Sequence, residues 1–159
     1  KVSGLVVYAP GVSVRKCVGN LICHITNTTL THNEYLQERT IHPASPLYRV
    51  NFAARLLLNV HLSWNQPLPS EVPTLVFVAG DKEDRYVKTN ELKDWVGIQR
   101  ADFSASILAF QCVGARHELD NEPAEFGGHQ VRTLSASFVD SIIRNQSLGS
   151  VNSGPCRTF

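Results

Sequence analysis

Two polar loops that follow apolar runs hold the residues best suited to catalysis. The run at residues 74–79 is followed by an acidic turn that includes Asp84, and the run at residues 106–113 is followed by a loop that includes His117. Short apolar runs bounded by turn residues are typical of strands buried in a parallel sheet. Sites in such sheets collect at the carboxyl ends of the strands, where neighbouring loops lie about 5 Å apart. A carboxylate there accepts the Nδ1–H of a histidine and leaves its Nε2 free as a base.

Both residues have competing interpretations. A single loop histidine such as His117 often has no catalytic role, and Asp84 shares its turn with two further carboxylates, Asp81 and Glu83. The alternative to a catalytic acid is therefore a turn of solvated charges. Glu118 is adjacent to His117, so we expect its side chain to point elsewhere and to accept hydrogen bonds from N–H groups of the loop.

The elements that position these loops alternate between strands and helices. A further apolar run at residues 5–9 predicts a first strand buried on both faces. Leu92, Trp95 and Val96 fall at i, i+3 and i+4, on one face of a predicted helix. A second helix, from about residue 128 to 143, is predicted by apolar residues at three- and four-residue steps, namely Val131, Leu134, Phe138 and Ile142. This order predicts the α/β class, with a mostly parallel sheet flanked by helices.

Composition argues against several classes of function. The 159 residues include 15 Lys and Arg and 14 Asp and Glu, so the chain lacks the basic field of a nucleic-acid-binding protein. No apolar run approaches the roughly 18 residues that cross a bilayer. The histidine spacing lacks the patterns of zinc sites, so we expect neither a metal nor a cofactor. No cysteine pair is spaced as C-x-x-C, and we expect buried or free thiols at Cys17, Cys23, Cys112 and Cys156.

The combined pattern resembles the C-terminal half of the α/β-hydrolases. An apolar strand is followed by Gly-x-x-x-Asp-Arg-x-Val at residues 80–87, then by a helix, a further strand and Gly-Ala-x-His-Glu at residues 114–118. The pattern is most similar to the lysophospholipase and monoglyceride-lipase branch, and residues 30–32 (Leu-Thr-His) resemble the cap of bacterial lysophospholipases. The family order of serine, acid and histidine implies that Asp84 and His117 are the last two members of a catalytic triad.

The nucleophile elbow of that family, Gly-x-Ser-x-Gly, is absent from the sequence. In the family it stands shortly before a strand like the run at residues 5–9. Methionine is also absent, so Lys1 is not expected to be a translation start. We expect the chain to be a processed product or a fragment, with the serine supplied by a missing N-terminal half. Alone, it is expected not to hydrolyse esters and to leave its first strand as an exposed apolar sheet edge.

The resemblance implies four parts: a core strand at residues 1–10, a helical cap insertion at 11–66, the C-terminal part of the hydrolase core at 67–145 and a flexible tail at 146–159. Within the cap, Ser45-Pro46 is typical of a helix start, with Ser as the N-cap. Apolar residues at helical spacing follow, with two aromatic residues nearby: Leu47, Val50, Leu57, Leu58, Leu62, Phe52 and Trp64. This face either packs on the body of the protein or lines a pocket for an acyl chain.

The implied activity is hydrolysis of a carboxylic ester without a cofactor. The resemblance suggests a lipid monoester such as a lysophospholipid or a monoacylglycerol, compatible with peripheral membrane contact, and favours the cytoplasm or the membrane periphery. Two alternatives remain open. One is a catalytically inactive binding or scaffold module, and the other is a different reaction on the same fold, such as a haloalkane-type or peroxidase-type hydrolase.

Overall fold

A computed structural model describes residues 2–10, 31–34, 46–148 and 154–159, with only the backbone described for residues 46–53 and 56. The elements in chain order are β1 (Leu5–Tyr8), α1 (Pro46–Trp64), β2 (Thr74–Val78), α2 (Thr89–Ala101), β3 (Ile107–Cys112), α3 (Gly128–Arg144) and β4 (Cys156–Thr158). Two short 3₁₀ turns, Leu119–Asn121 and Ala124–Phe126, lie between β3 and α3.

The four strands form one mixed sheet in the order β1-β2-β3-β4. The first three are parallel, with Val7 opposite Val76 and Val76 opposite Ala109, whereas β4 is antiparallel to β3. With helices flanking this sheet, the predicted α/β class and mostly parallel sheet are confirmed.

The central strand β2 is buried along its whole length, as its unbroken apolar sequence predicts. Because side chains alternate across a strand, Leu75 and Phe77 pack in one core cluster, and Val76 and Val78 pack in another. Helix α3 covers the first cluster with Val131, Leu134 and Phe138. Helix α2 covers the second with Leu92, Trp95 and Val96. Both predicted helical faces are therefore confirmed as buried faces.

Strand β1 differs from its prediction. It was expected to be buried on both faces, but Leu5, Val6 and Val7 are only half-buried and Tyr8 is exposed. The reason is its place at the margin of the sheet, where only β2 pairs with it among the described strands.

The C-terminal segment corrects two further predictions. Residues 156–158 form β4 instead of belonging to a flexible tail, and Cys156 is joined to Cys112 by a disulfide instead of being a thiol. The two cysteines are direct partners across the β3–β4 ladder. The side chain of Gln130 also brackets the backbone of Cys156, donating to its carbonyl over 3.0 Å and accepting from its N–H over 2.8 Å. Cys17 and Cys23 lie outside the described residues.

The described part of the expected cap consists of residues 31–34 and 46–66, and the remainder of residues 11–66 lies outside the description. Helix α1 (Pro46–Trp64) lies where the sequence predicts a helix, and the expected N-cap Ser45 lies outside the described residues. The leucines of its apolar face that are described do not pack on the body, since Leu57, Leu58 and Leu62 are exposed. At the end of the helix, Trp64 packs against the core cluster that α2 covers.

Candidate catalytic site

The loops that follow β2 and β3 meet at one edge of the sheet. Val78 and Gln111 are register partners, so the two parallel strands end side by side. Beyond them, the N–H of Gly80 donates to the carbonyl of Ala115 over 3.0 Å. A Cβ atom at Gly80 would lie 2.9 Å from the backbone nitrogen of Gly114, a distance that real Cβ atoms essentially never show. The absence of a side chain at Gly80 therefore allows the two loops to touch.

The acidic turn folds so that one of its three carboxylates points inward. The N–H groups of Glu83 and Asp84 both approach the carbonyl of Gly80, which closes the turn. Asp81 and Glu83 are exposed, whereas Asp84 is only 1% exposed. Its Oδ1 accepts from the N–H of Tyr86 over 2.8 Å, a bond typical of an Asp in a turn. The same oxygen accepts from the N–H of Val87 over 3.0 Å.

The other oxygen of this carboxylate contacts His117, with 3.0 Å between Oδ2 and Nδ1. Because an ionised carboxylate only accepts hydrogen bonds, Nδ1 carries the proton and Nε2 of the neutral ring is left as a base. The rings of Tyr86 and His117 pack edge-to-face, with 5.1 Å between their centroids. With 30% of its side chain exposed, His117 is accessible to a reactant. The two candidate residues chosen from the sequence are thus brought together.

This arrangement is suited to general acid–base chemistry. A carboxylate so placed can fix the tautomer and orientation of the ring, and an imidazole with a free Nε2 can accept a proton and pass it on. A nucleophile is not identified among the described residues. Within those residues there is also no group of three or more His, Cys, Asp or Glu side chains that would suit a metal ion.

The sequence did not point to a second carboxylate–histidine pair beside this site. Glu122 is 1% exposed, and its Oε2 lies 3.0 Å from Nδ1 of His32 and 3.1 Å from the backbone nitrogen of the same residue. The ring of His32 stacks on Phe126 at 4.1 Å. The other oxygen, Oε1, accepts from the N–H of Arg116 over 2.8 Å. Glu118, expected to accept from N–H groups of the loop, accepts from the side-chain amide of Asn121, while the backbone N–H of Arg116 donates to Glu122.

The short segment at residues 31–34 is docked on the loop that carries His117. The hydroxyl of Thr31 donates to the carbonyl of Asn121 over 3.2 Å, and the guanidinium of Arg116 donates to the carbonyl of Thr31 over 3.1 Å. Together with the two bonds from His32 to Glu122, these contacts join parts of the chain some 90 residues apart. No local motif predicts them.

Comparison with known proteins adds no assignment. The chain matches no protein-family model, and no curated protein sequence matches it. The case for its function therefore rests on the quoted motifs and on the geometry of the site.

None of the helices in the described part of the chain combines the length and apolar character that a membrane crossing requires.

Proposed function

We propose that this chain is the C-terminal part of a serine-type carboxylic-ester hydrolase with the α/β-hydrolase fold, in which Asp84 and His117 are the triad acid and base. The observation that carries the proposal is the Nδ1–Oδ2 contact of 3.0 Å between them. Asp84 is buried, and its other carboxylate oxygen accepts hydrogen bonds from two backbone N–H groups. These bonds hold the carboxylate in a position from which it can orient the histidine. In the proposed reaction a serine attacks the acyl carbonyl, His117 takes its proton and Asp84 stabilises the imidazolium.

The serine is proposed to come from an N-terminal half of the same fold. Support comes from β1, whose residues Leu5, Val6 and Val7 are apolar and only half-buried at the margin of the described sheet. An unpaired apolar edge is unfavourable in water and is normally covered or paired. A preceding strand carrying the nucleophile would pair there.

The proposed substrate is a lipid monoester, a lysophospholipid or a monoacylglycerol. Helix α1 is proposed to belong to the cap insertion, and its exposed leucines, Leu57, Leu58 and Leu62, are suited to an acyl chain or a membrane surface. The Cys112–Cys156 disulfide bears on location, because such bonds persist in oxidising compartments and are rare in the cytosol. It therefore argues against the cytoplasm and for an exported protein.

The test uses the protein encoded by the complete reading frame, treated with a fluorophosphonate probe that labels activated serines. The wild type is expected to take up one probe by intact mass, and His117→Ala is expected to take up none. Glu83→Gln is the matched control, since Glu83 lies in the same turn as Asp84 but is exposed. A wild-type protein that takes no label would contradict the proposal.

One alternative is a catalytically inactive binding or scaffold module. It agrees with a chain that lacks Gly-x-Ser-x-Gly, although the proposed hydrolase, whose serine lies in the N-terminal half, agrees with that as well. The residue at the elbow in the complete reading frame discriminates the two, because a residue that is not a nucleophile there would favour the inactive module. An aspartate at that position would instead favour haloalkane-type chemistry.

A further inference from the structure

The peptide unit between Ala115 and Arg116 is held at both ends. Its carbonyl accepts from the N–H of Gly80, at the start of the turn that carries Asp84. Its N–H donates to Oε1 of Glu122 over 2.8 Å. Because a peptide unit is planar, fixing both groups fixes its orientation. Only the next peptide unit separates this one from the Cα of His117, so the same two bonds restrain where the chain enters the histidine.

Glu122 is itself held in one place. Its side chain is fully buried, and an ionised carboxylate in the interior is strongly unfavourable unless donors surround it. Donors come from two separate parts of the chain, the N–H of Arg116 on one side and the N–H and ring of His32 on the other. The backbone is equally confined, since a Cβ atom at Gly128 would lie 1.7 Å from the Glu122 carbonyl oxygen.

We infer that Glu122 is a positioning residue for His117, acting through the Arg116 N–H, and that it docks residues 31–34 on the same loop. The effect on catalysis rests on the proposed function, but the effect on the His117–Asp84 hydrogen bond does not. Glu122 does not contact His117 in the described interactions. Its role is to keep Nδ1 within hydrogen-bonding distance of Asp84 by fixing the backbone that precedes the ring.

Two substitutions at Glu122 separate its hydrogen bond with Arg116 from its hydrogen bonds with His32. Glu122→Gln retains an amide oxygen that accepts from Arg116, but its NH₂ group faces the backbone N–H of His32, which can only donate. Glu122→Leu keeps an apolar side chain of similar size and removes both acceptors. Glu118→Gln is the matched control, because Glu118 lies in the same loop. Among the described contacts, its side chain accepts a hydrogen bond from the Asn121 side chain.

The primary measurement is the proton NMR signal of the His117 Nδ1–H in ¹⁵N-histidine-labelled protein from the complete reading frame. A proton held between Nδ1 and a carboxylate exchanges slowly and resonates far downfield. The signal is expected in the wild type, in Glu118→Gln and in Glu122→Gln, and is expected to be lost in Glu122→Leu. Labelling by the fluorophosphonate probe is expected to slow by about 10- to 100-fold in Glu122→Leu, the size expected when a reacting group is displaced by about 1 Å.

The outcomes separate the inference from the proposed function. A Glu122→Leu protein that keeps both the signal and the wild-type labelling rate overturns the inference and leaves the hydrolase proposal standing. Loss of the signal in a protein whose wild type takes no label supports the positioning role and contradicts the hydrolase. If Glu122→Leu does not fold, hydrogen exchange of the Arg116 amide in the wild type decides: slow exchange supports the inference, and exchange at the rate of a free amide overturns it.

Discussion

The molecule contains two carboxylate–histidine pairs that look alike in isolation. Asp84 and Glu122 are each about 1% exposed, and each lies 3.0 Å from Nδ1 of its histidine. Each carboxylate also accepts from two backbone N–H groups. The pairs differ in where those groups come from. Asp84 takes them from Tyr86 and Val87, within its own turn, whereas Glu122 takes them from Arg116 and from His32, which is 90 residues away in the sequence.

Under the proposed function, this difference separates a catalytic pair from a pair whose carboxylate holds two segments of the chain together. The N–H groups of its own turn hold Asp84 in place without His117. Among the described partners of this carboxylate, only the imidazole of His117 comes from outside the turn. Glu122 instead joins two segments, and its histidine is covered on one face by Phe126. Changing Asp84 to Asn should therefore lower activity more than stability, whereas changing Glu122 to Gln should lower stability more than activity.

The largest effect is expected for Asp84→Asn. The amide oxygen still accepts the N–H groups of Tyr86 and Val87, but the carboxylate that fixes the His117 tautomer is lost. By analogy with other triads, kcat should fall by about 10⁴-fold, with little change in the free energy of unfolding. Ester hydrolysis and denaturant unfolding of the complete protein measure the two quantities. A fall in stability as large as the fall in activity would show that Asp84 is a structural residue.

The next effect concerns the disulfide that ties β4 to β3 at the start of the loop carrying His117. Replacing Cys112 and Cys156 together by Ala should lower the free energy of unfolding by about 2–4 kcal/mol. The loss should be seen by denaturant unfolding, with the Asp84→Asn variant as a stable reference. Unchanged stability would show that the β4 pairing and the Gln130 bracket hold the segment without the bond.

A smaller effect on stability, and almost none on activity, is expected for Glu122→Gln. Its NH₂ group meets the backbone N–H of His32, which can only donate, so a buried hydrogen bond is lost at a cost of about 1–3 kcal/mol. The acceptor for Arg116 remains, so kcat should stay within a few-fold of the wild type. Glu118→Gln, in the same loop, is the control and should leave both quantities near the wild type because it keeps an acceptor for Asn121. A large fall in kcat would contradict the division between the two pairs.

The smallest effect is expected at the exposed leucines of α1. Leu58→Gln should change the free energy of unfolding by less than about 0.5 kcal/mol, since Leu58 is exposed. If this face receives the acyl chain, KM should rise several-fold for long-chain monoesters and stay constant for short-chain esters. Steady-state kinetics with an ester series checks this. Equal KM values for both chain lengths would remove α1 from the proposed acyl site.

The sequence was sufficient for features whose causes are local. Unbroken apolar runs predicted β2 and β3, helical spacing predicted the buried faces of α2 and α3, and the motifs after the strands predicted that Asp84 and His117 lie close together. The features that it missed depend on pairing between distant segments. The Cys112–Cys156 bond requires β4 to join β3, and the role of Glu122 requires residues 31–34 to dock on the histidine loop. The apolar run of β1 predicted burial on both faces, whereas its half-buried state follows from its place at the edge of the described sheet, which was expected from the missing N-terminal half.

The central claim is that the Asp84–His117 pair activates a serine. The most direct measurement is a crystal structure of the protein from the complete reading frame after reaction with a fluorophosphonate. The account predicts phosphorus bonded to a serine Oγ, with Nε2 of His117 within hydrogen-bonding distance of that oxygen and Nδ1 still bonded to Asp84. An adduct remote from His117 would contradict it.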